Sequence, residues 1–189
     1  MNGYDALVDA VVAGDFVPLG RRMTDERLPA PTLAWNPPPE ELPEPQLRVL
    51  AAYWNGRRAA LDGLPHVDSL DPLQFKEALG YVMLLDKEGD GSLRYRLYGS
   101  RIAERSGFDL TGRTTREVQT HPAIGLFFEV CYRAVALRGE PLFTRHVPPS
   151  VIGVTHWSRI VLPVADAAGA ARHFLVGNVP GERRPVDAT

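Results

Sequence analysis

From Gln46 onward the apolar positions repeat with two readable periods. Leu47, Leu50, Trp54 and Leu61 recur on one helical face, with Arg48, Arg57 and Arg58 largely elsewhere, which predicts an amphipathic helix ended by "LDG". "SLDPLQF" is a second start signal: Asp71 as N-cap, Pro72 at the first helical position and Gln74 three residues after Asp71. Gly80 keeps that helix short. "YVMLLD" (81–86) is a continuous apolar run and reads as a buried strand. "KEGDGS" turns it into "LRYRLYG", whose Leu93, Tyr95 and Leu97 share one face, so the two runs predict a hairpin.

The helical period returns in "HPAIGLFFEVCYRAVALRG" (121–139). Ile124, Phe127, Phe128, Cys131 and Val135 form one stripe, widened by Val130, Ala134 and Leu137, which predicts a largely covered helix. Three further extended runs follow, "PLFTRHV" (141–147), "WSRIVLPV" (157–164) and "RHFLVGNV" (172–179), the last two joined by "ADAAGA". The predicted order is β-β-α-α-β-β-β with helices in front.

Upstream the pattern weakens. Leu7, Val8, Val11 and Val12 make a short apolar strip, followed by prolines at 29, 31, 37, 38, 39, 43 and 45. Proline fixes its own φ and turns the preceding residue away from helix, so residues 1–45 read as a helix and an extended arm. Residues 46–180 are then the folded domain and 181–189 a flexible tail. Trp35 in the arm is either an anchor onto the domain or an exposed linker residue.

With 189 residues, 44% of them hydrophobic and 23% charged, the chain can bury a full core. A net charge of -2 and a pI near 6.2 argue against a dedicated nucleic-acid binder. Cys131 is the only cysteine, which removes intrachain disulfides and cysteine metal cages. No secretory leader or apolar stretch near 18 residues is visible, so a cytoplasmic protein with no membrane partner is expected.

The passage "RYRLYGSRIAERSGFDLTGR" (94–113) carries the most specific signal. A strand breaks at Gly99, a short helix capped by Ser100 stops at Gly107, and Asp109, Thr111 and Gly112 form a turn. With Trp54 and Arg58, Leu64-Pro65, Asp71-Pro72, "LLD" (84–86), Gly139-Glu140-Pro141 and "LPVAD" (162–166), this passage resembles a small bacterial family of stand-alone PAS domains. The resemblance covers about 46–179. It implies an α+β fold: a PAS-like five-stranded antiparallel sheet with helices across one face, preceded here by an N-terminal helical extension.

Recognisable catalytic chemistry is scarce. "DKEGDG" (86–91) imitates half of an EF-hand loop, but Leu97 stands where calcium needs a bidentate glutamate. His66, His121, His146, His156 and His173 form no helical metal pair, and Cys131 sits mid-helix in an apolar stripe. No metal site and no catalytic residue are expected. The cofactor is left unknown. Light-sensing PAS relatives need a reactive cysteine after the turn that follows the short helix, and "TGRTTREVQT" has none. Haem-binding relatives use a histidine within the long helix, whereas His121 stands at its start beside Pro122.

Strand alternation groups Trp157, Arg159 and Val161 on one face, and Phe174, Val176 and Asn178 on one face. By resemblance to other PAS domains these faces point inward. One arrangement is then a cavity walled by Phe128, Trp157 and Phe174, with Arg159 and Asn178 as polar groups suited to a small, anionic ligand. The other is a filled interior with Arg159 outside on the sheet. Arg94 and Arg96 read as the solvated face of an edge strand.

The resemblance therefore implies a sensory or regulatory domain, not an enzyme, that binds a small ligand, a protein partner, or both. With about ten residues after the last strand, no output domain is expected to follow, and a homodimer or partner contact through the N-terminal region would carry the signal. The alternatives are a ligand-free adaptor for another protein and, further off, a small-molecule enzyme on an α+β shell.

Overall fold

The predicted strands all form, and a sixth comes from the proline-rich arm. The structure is a computed structural model describing residues 3–61 and 63–184; of the predicted tail, 185–189 lie outside the described residues. Its elements are α1 (Gly3–Val12), α2 (Val17–Asp25), β1 (Thr32–Trp35), α3 (Pro45–Ala59), β2 (Val82–Lys87), β3 (Leu93–Tyr98), α4 (Ser100–Ser106), α5 (Pro122–Arg138), β4 (Leu142–His146), β5 (Trp157–Ala165) and β6 (Ala171–Pro180). Three 3-10 segments, Pro39–Glu41, Val67–Ser69 and Pro72–Tyr81, fill the connections. The fold is α+β and PAS-like. The six strands pair antiparallel with one another, in the order β1-β4-β5-β6-β2-β3.

Both faces of this sheet are covered. On the inner face, Trp157, Val161, Phe174 and Val176 pack with Ile124, Phe127 and Cys131 of α5 and with Val8 and Val11 of α1. On the outer face, Ile160, Leu162 and Leu175 meet Leu47, Leu50 and Trp54 of α3. Every residue of β5 is buried as a consequence. The helices therefore exceed the one-face arrangement that resemblance implied, because the apolar stripe of α3 needs a surface and the back of β5–β6 supplies it. Trp54 Nε1 ties the helix down by donating to the Pro163 carbonyl at 2.7 Å. Leu61, expected in that stripe, lies beyond the helix end and is exposed.

The arm is equally committed to the domain. Its extended prolines flank β1, which pairs with β4, and α1 packs along α5. Trp35 Nε1 donates to the Val11 carbonyl at 2.8 Å, and the Arg138 guanidinium lies 4.7 Å from the Trp35 ring centroid. Of the two readings of Trp35, the anchor is the one that the packing displays.

Local details depart from expectation in three places. Asp71 does cap, accepting from the Leu73 amide, but the segment it opens is 3-10 with a non-helical break at Phe75. Gly99, not Ser100, is the N-cap of α4 and Ser100 is already helical. A Cβ at Gly99 would lie 2.8 Å from the Gly80 carbonyl carbon and 2.9 Å from the Val82 carbonyl oxygen, so close approach requires the glycine. The β2–β3 ladder shifts register between Leu84 and Leu85, and beyond the shift Leu97 is exposed instead of joining Leu93 and Tyr95.

Candidate functional site

The crossing after β3 opens a space over the inner face. Gly107 (φ 85°) stops α4, and the Asp109 carboxylate then accepts from the Thr111 amide and hydroxyl at 2.8 and 2.7 Å. The chain returns along the free edge of β3: the Tyr95 amide donates to the Arg113 carbonyl, and the Thr115 amide to that of Leu93. This loop is held away from the sheet centre, α5 closes the far side, and the 148–152 loop closes the end. Between them lies a cavity of about 550 Å³, within the range of small-molecule sites.

Four of the five residues expected at a ligand site, Phe128, Trp157, Arg159 and Asn178, line this cavity; Phe174 does not. Phe174 is buried beneath it, its ring centroid 5.1 Å from that of Tyr132, which covers it. Arg159 points inward, at 2% exposure. Its Nη2 donates to the Tyr132 hydroxyl at 2.5 Å, and its guanidinium stacks 4.2 Å from the Phe128 ring centroid. Nε and Nη1 have no hydrogen-bond partner. No carboxylate among the described residues forms an ion pair with it.

Other polar atoms nearby are also unmet. The Oδ1 end of the Asn178 amide, Nδ1 of His146 and Oγ1 of Thr144 are buried without partners. His146 lies between the rings of Phe127 and Phe128, with centroids 5.3 and 5.2 Å away. Burial, then the positive Arg159 and His156, lower its pKa to about 3, so it is neutral at physiological pH. Burial also raises the Tyr132 pKa, which keeps its hydroxyl protonated.

Sequence reasoning passed over Tyr132, His146 and Thr144. Each had a signal: Tyr132 is one turn past Phe128 on α5, and Leu142, Thr144 and His146 alternate on one face of β4. Cys131 is fully enclosed and burial pushes its thiol up to about 12, an inert state. His121 lines the cavity mouth but spends its Nδ1 accepting from the Ala123 amide as the α5 N-cap. Arg94 and Arg96 sit on β3 with exposed side chains paired to Glu88 and Asp86.

Comparison with known proteins places these features in a family. A family model described as "PAS domain" matches residues 43–175. No curated protein matches the chain. Among the solved structures that do match is an RNA-binding light-oxygen-voltage receptor, with 17% identity and a TM-score of 0.42. That alignment covers 88% of this chain but only 44% of the receptor's, so the chain spans less than half of its length.

Proposed function

The chain belongs to the PAS domain family, a family of sensory domains, and we propose that it acts as a small-molecule sensing domain whose ligand occupies the cavity between α5 and the sheet. One observation carries this reading: Arg159 is a buried cation in the wall of the cavity, with two nitrogens unpartnered and no acid paired to it among the described residues. Uncompensated buried charge is expensive in an interior that could have been apolar. A ligand that brings an acceptor to Arg159 removes that cost only when bound, which gives the domain a bound state more stable than its empty one.

A ligand-free adaptor with a filled interior would leave neither this space nor these orphan donors. Occupation would be felt by the elements that wall the cavity, since α5 also packs against the N-terminal helix. In this reading the site recognises without making bonds, and the N-terminal region remains the surface for a protein partner or second copy. Native mass spectrometry of the purified chain tests the reading. A non-covalent adduct lost from the Arg159→Met variant is expected; an apo mass from every expression host, with no stabilisation by a cell extract, would overturn it. Sizing chromatography with and without residues 1–45 tests the N-terminal contact, and an unchanged monomer would remove it.

A further inference from the structure

The distribution of polarity over the cavity wall narrows the ligand beyond the reading just given, on which this inference rests. Cation and orphan polar atoms are gathered on one side. Arg159 and Asn178 are directly paired across the β5–β6 ladder, with the Tyr132 hydroxyl bonded to the guanidinium. That hydroxyl accepts from Arg159, so its own hydrogen is free to donate. A single compact acceptor group would meet the guanidinium and the Tyr132 hydroxyl, while the unmet Oδ1 of Asn178, itself an acceptor, lies beside them and could be met only by a donor.

The opposite end is apolar. Phe108, Leu110, Val118, Val151 and Ile152 line the mouth. Phe108 and Val151 are 43% and 70% exposed, which is costly for large side chains on a surface with nothing to cover them. Charge supplies the remaining constraint. Among the described residues Arg159 is the one arginine or lysine on the wall, and Glu129 also lines it. A second anionic group on the ligand would find no cation and would face that carboxylate.

We propose that the ligand is an apolar monocarboxylate: one carboxylate held by Arg159 and Tyr132, and a hydrocarbon or aromatic body running out between Phe108 and Val151. Dicarboxylates, phosphorylated metabolites and nucleotides carry charge that this wall does not answer. A neutral alcohol of the same body would leave the guanidinium unpaired. Arginine suits the head because its planar donors match a carboxylate and its face remains stacked on Phe128.

Isothermal titration calorimetry with octanoate, 3-phenylpropionate, 1-octanol and suberate tests this. Octanoate or 3-phenylpropionate should bind the wild type, with 1-octanol and suberate at least about tenfold weaker, the loss expected of a charge-assisted contact. Arg159→Met should weaken the carboxylates by a similar factor, and Arg159→Lys should restore part of it. Equal binding of 1-octanol, tighter binding of suberate, or no binding by either monocarboxylate would overturn the assignment. If Arg159→Met does not fold, the ranking of the four probes on the wild type still decides. A cellular adduct retained by the wild type while neither monocarboxylate binds would sink the ligand class and leave the sensing cavity standing; absence of both would sink the two together.

Discussion

Asn178 stands directly across the β5–β6 ladder from Arg159, and both side chains reach the cavity with polar atoms that nothing satisfies. Interiors seldom keep such a pair, because each buried polar group without a partner costs about 1–3 kcal/mol. Replacing Arg159 by methionine keeps much of the stem and deletes the charge. The empty protein should gain about 1–3 kcal/mol of stability, read as a higher urea midpoint, while ligand binding falls. A variant less stable than the wild type would show that the guanidinium is structural. The opposed signs are the signature of a functional residue held at a cost to the fold.

The contact between α3 and the outer face depends on an absent side chain. A Cβ at Gly177 of β6 would lie 2.6 Å from Leu47 Cδ2 and 2.7 Å from Leu50 Cδ1. Gly177→Ala must push the helix off the sheet or force both leucines out of their rotamers. The expected loss is about 1–3 kcal/mol, by chemical denaturation. Ligand affinity should change little, since the cavity lies on the other face. An unchanged midpoint would mean that α3 is loosely seated.

How legible the molecule was follows from which physical rules are local. The five expected strands and α5 show in local apolar runs and periods. Alternation groups Arg159 with Trp157 and Asn178 with Phe174, but the sequence leaves open which way those faces point, and the fold turns Arg159 and Asn178 inward. Phe174 obeyed the same alternation, yet Tyr132 reaches over from α5 and seals it from the cavity. That occlusion is a packing outcome between elements and leaves no trace in the period of either one. Strand β1 was hidden for a different reason. Its four residues sit among prolines that forbid helix but do not specify a partner, and the free edge of β4 decides the matter. The apolar stripe of α3 showed that the helix docks, not onto which face. The proposed ligand class was less legible still, because it depends on what the wall lacks among the described residues, a second arginine or lysine, as much as on what it holds.

Trp35 clamps the arm through two contacts from different elements, the Val11 carbonyl and the Arg138 guanidinium. Arg138 in turn donates to the Val12 carbonyl at 2.8 Å, so helix α1, strand β1 and the end of α5 close on one another. Trp35→Ala should cost about 2 kcal/mol, less than a fully buried tryptophan because the residue is only partly buried. Hydrogen exchange would localise the effect. Amides of α1 and β1 should lose protection while those of β5 and β6 keep theirs. Uniform loss over the whole sheet would mean that the arm unfolds only with the domain.

His146 makes the stability of this protein depend on pH in a predictable direction. Its folded pKa, about 3, lies below the ordinary histidine value, and the causes are burial, then Arg159 and His156. The unfolded chain therefore binds a proton near pH 6.5 that the folded chain refuses until far lower. Protons favour the unfolded state throughout that interval, so this contribution is intact above about pH 6.5 and shrinks as the pH falls. The slope approaches about 1.4 kcal/mol per pH unit between pH 6 and 4. Carboxylates with lowered pKa values, such as Asp109 and Asp166, add their own loss in the acid range. The comparison must therefore be a difference between two proteins. His146→Phe, which fills the same space between Phe127 and Phe128, should lose less stability than the wild type between pH 7 and pH 5, by about 2 kcal/mol in urea titrations. Parallel pH profiles for the two would show that His146 accepts its proton in the folded state, against the cation beside it.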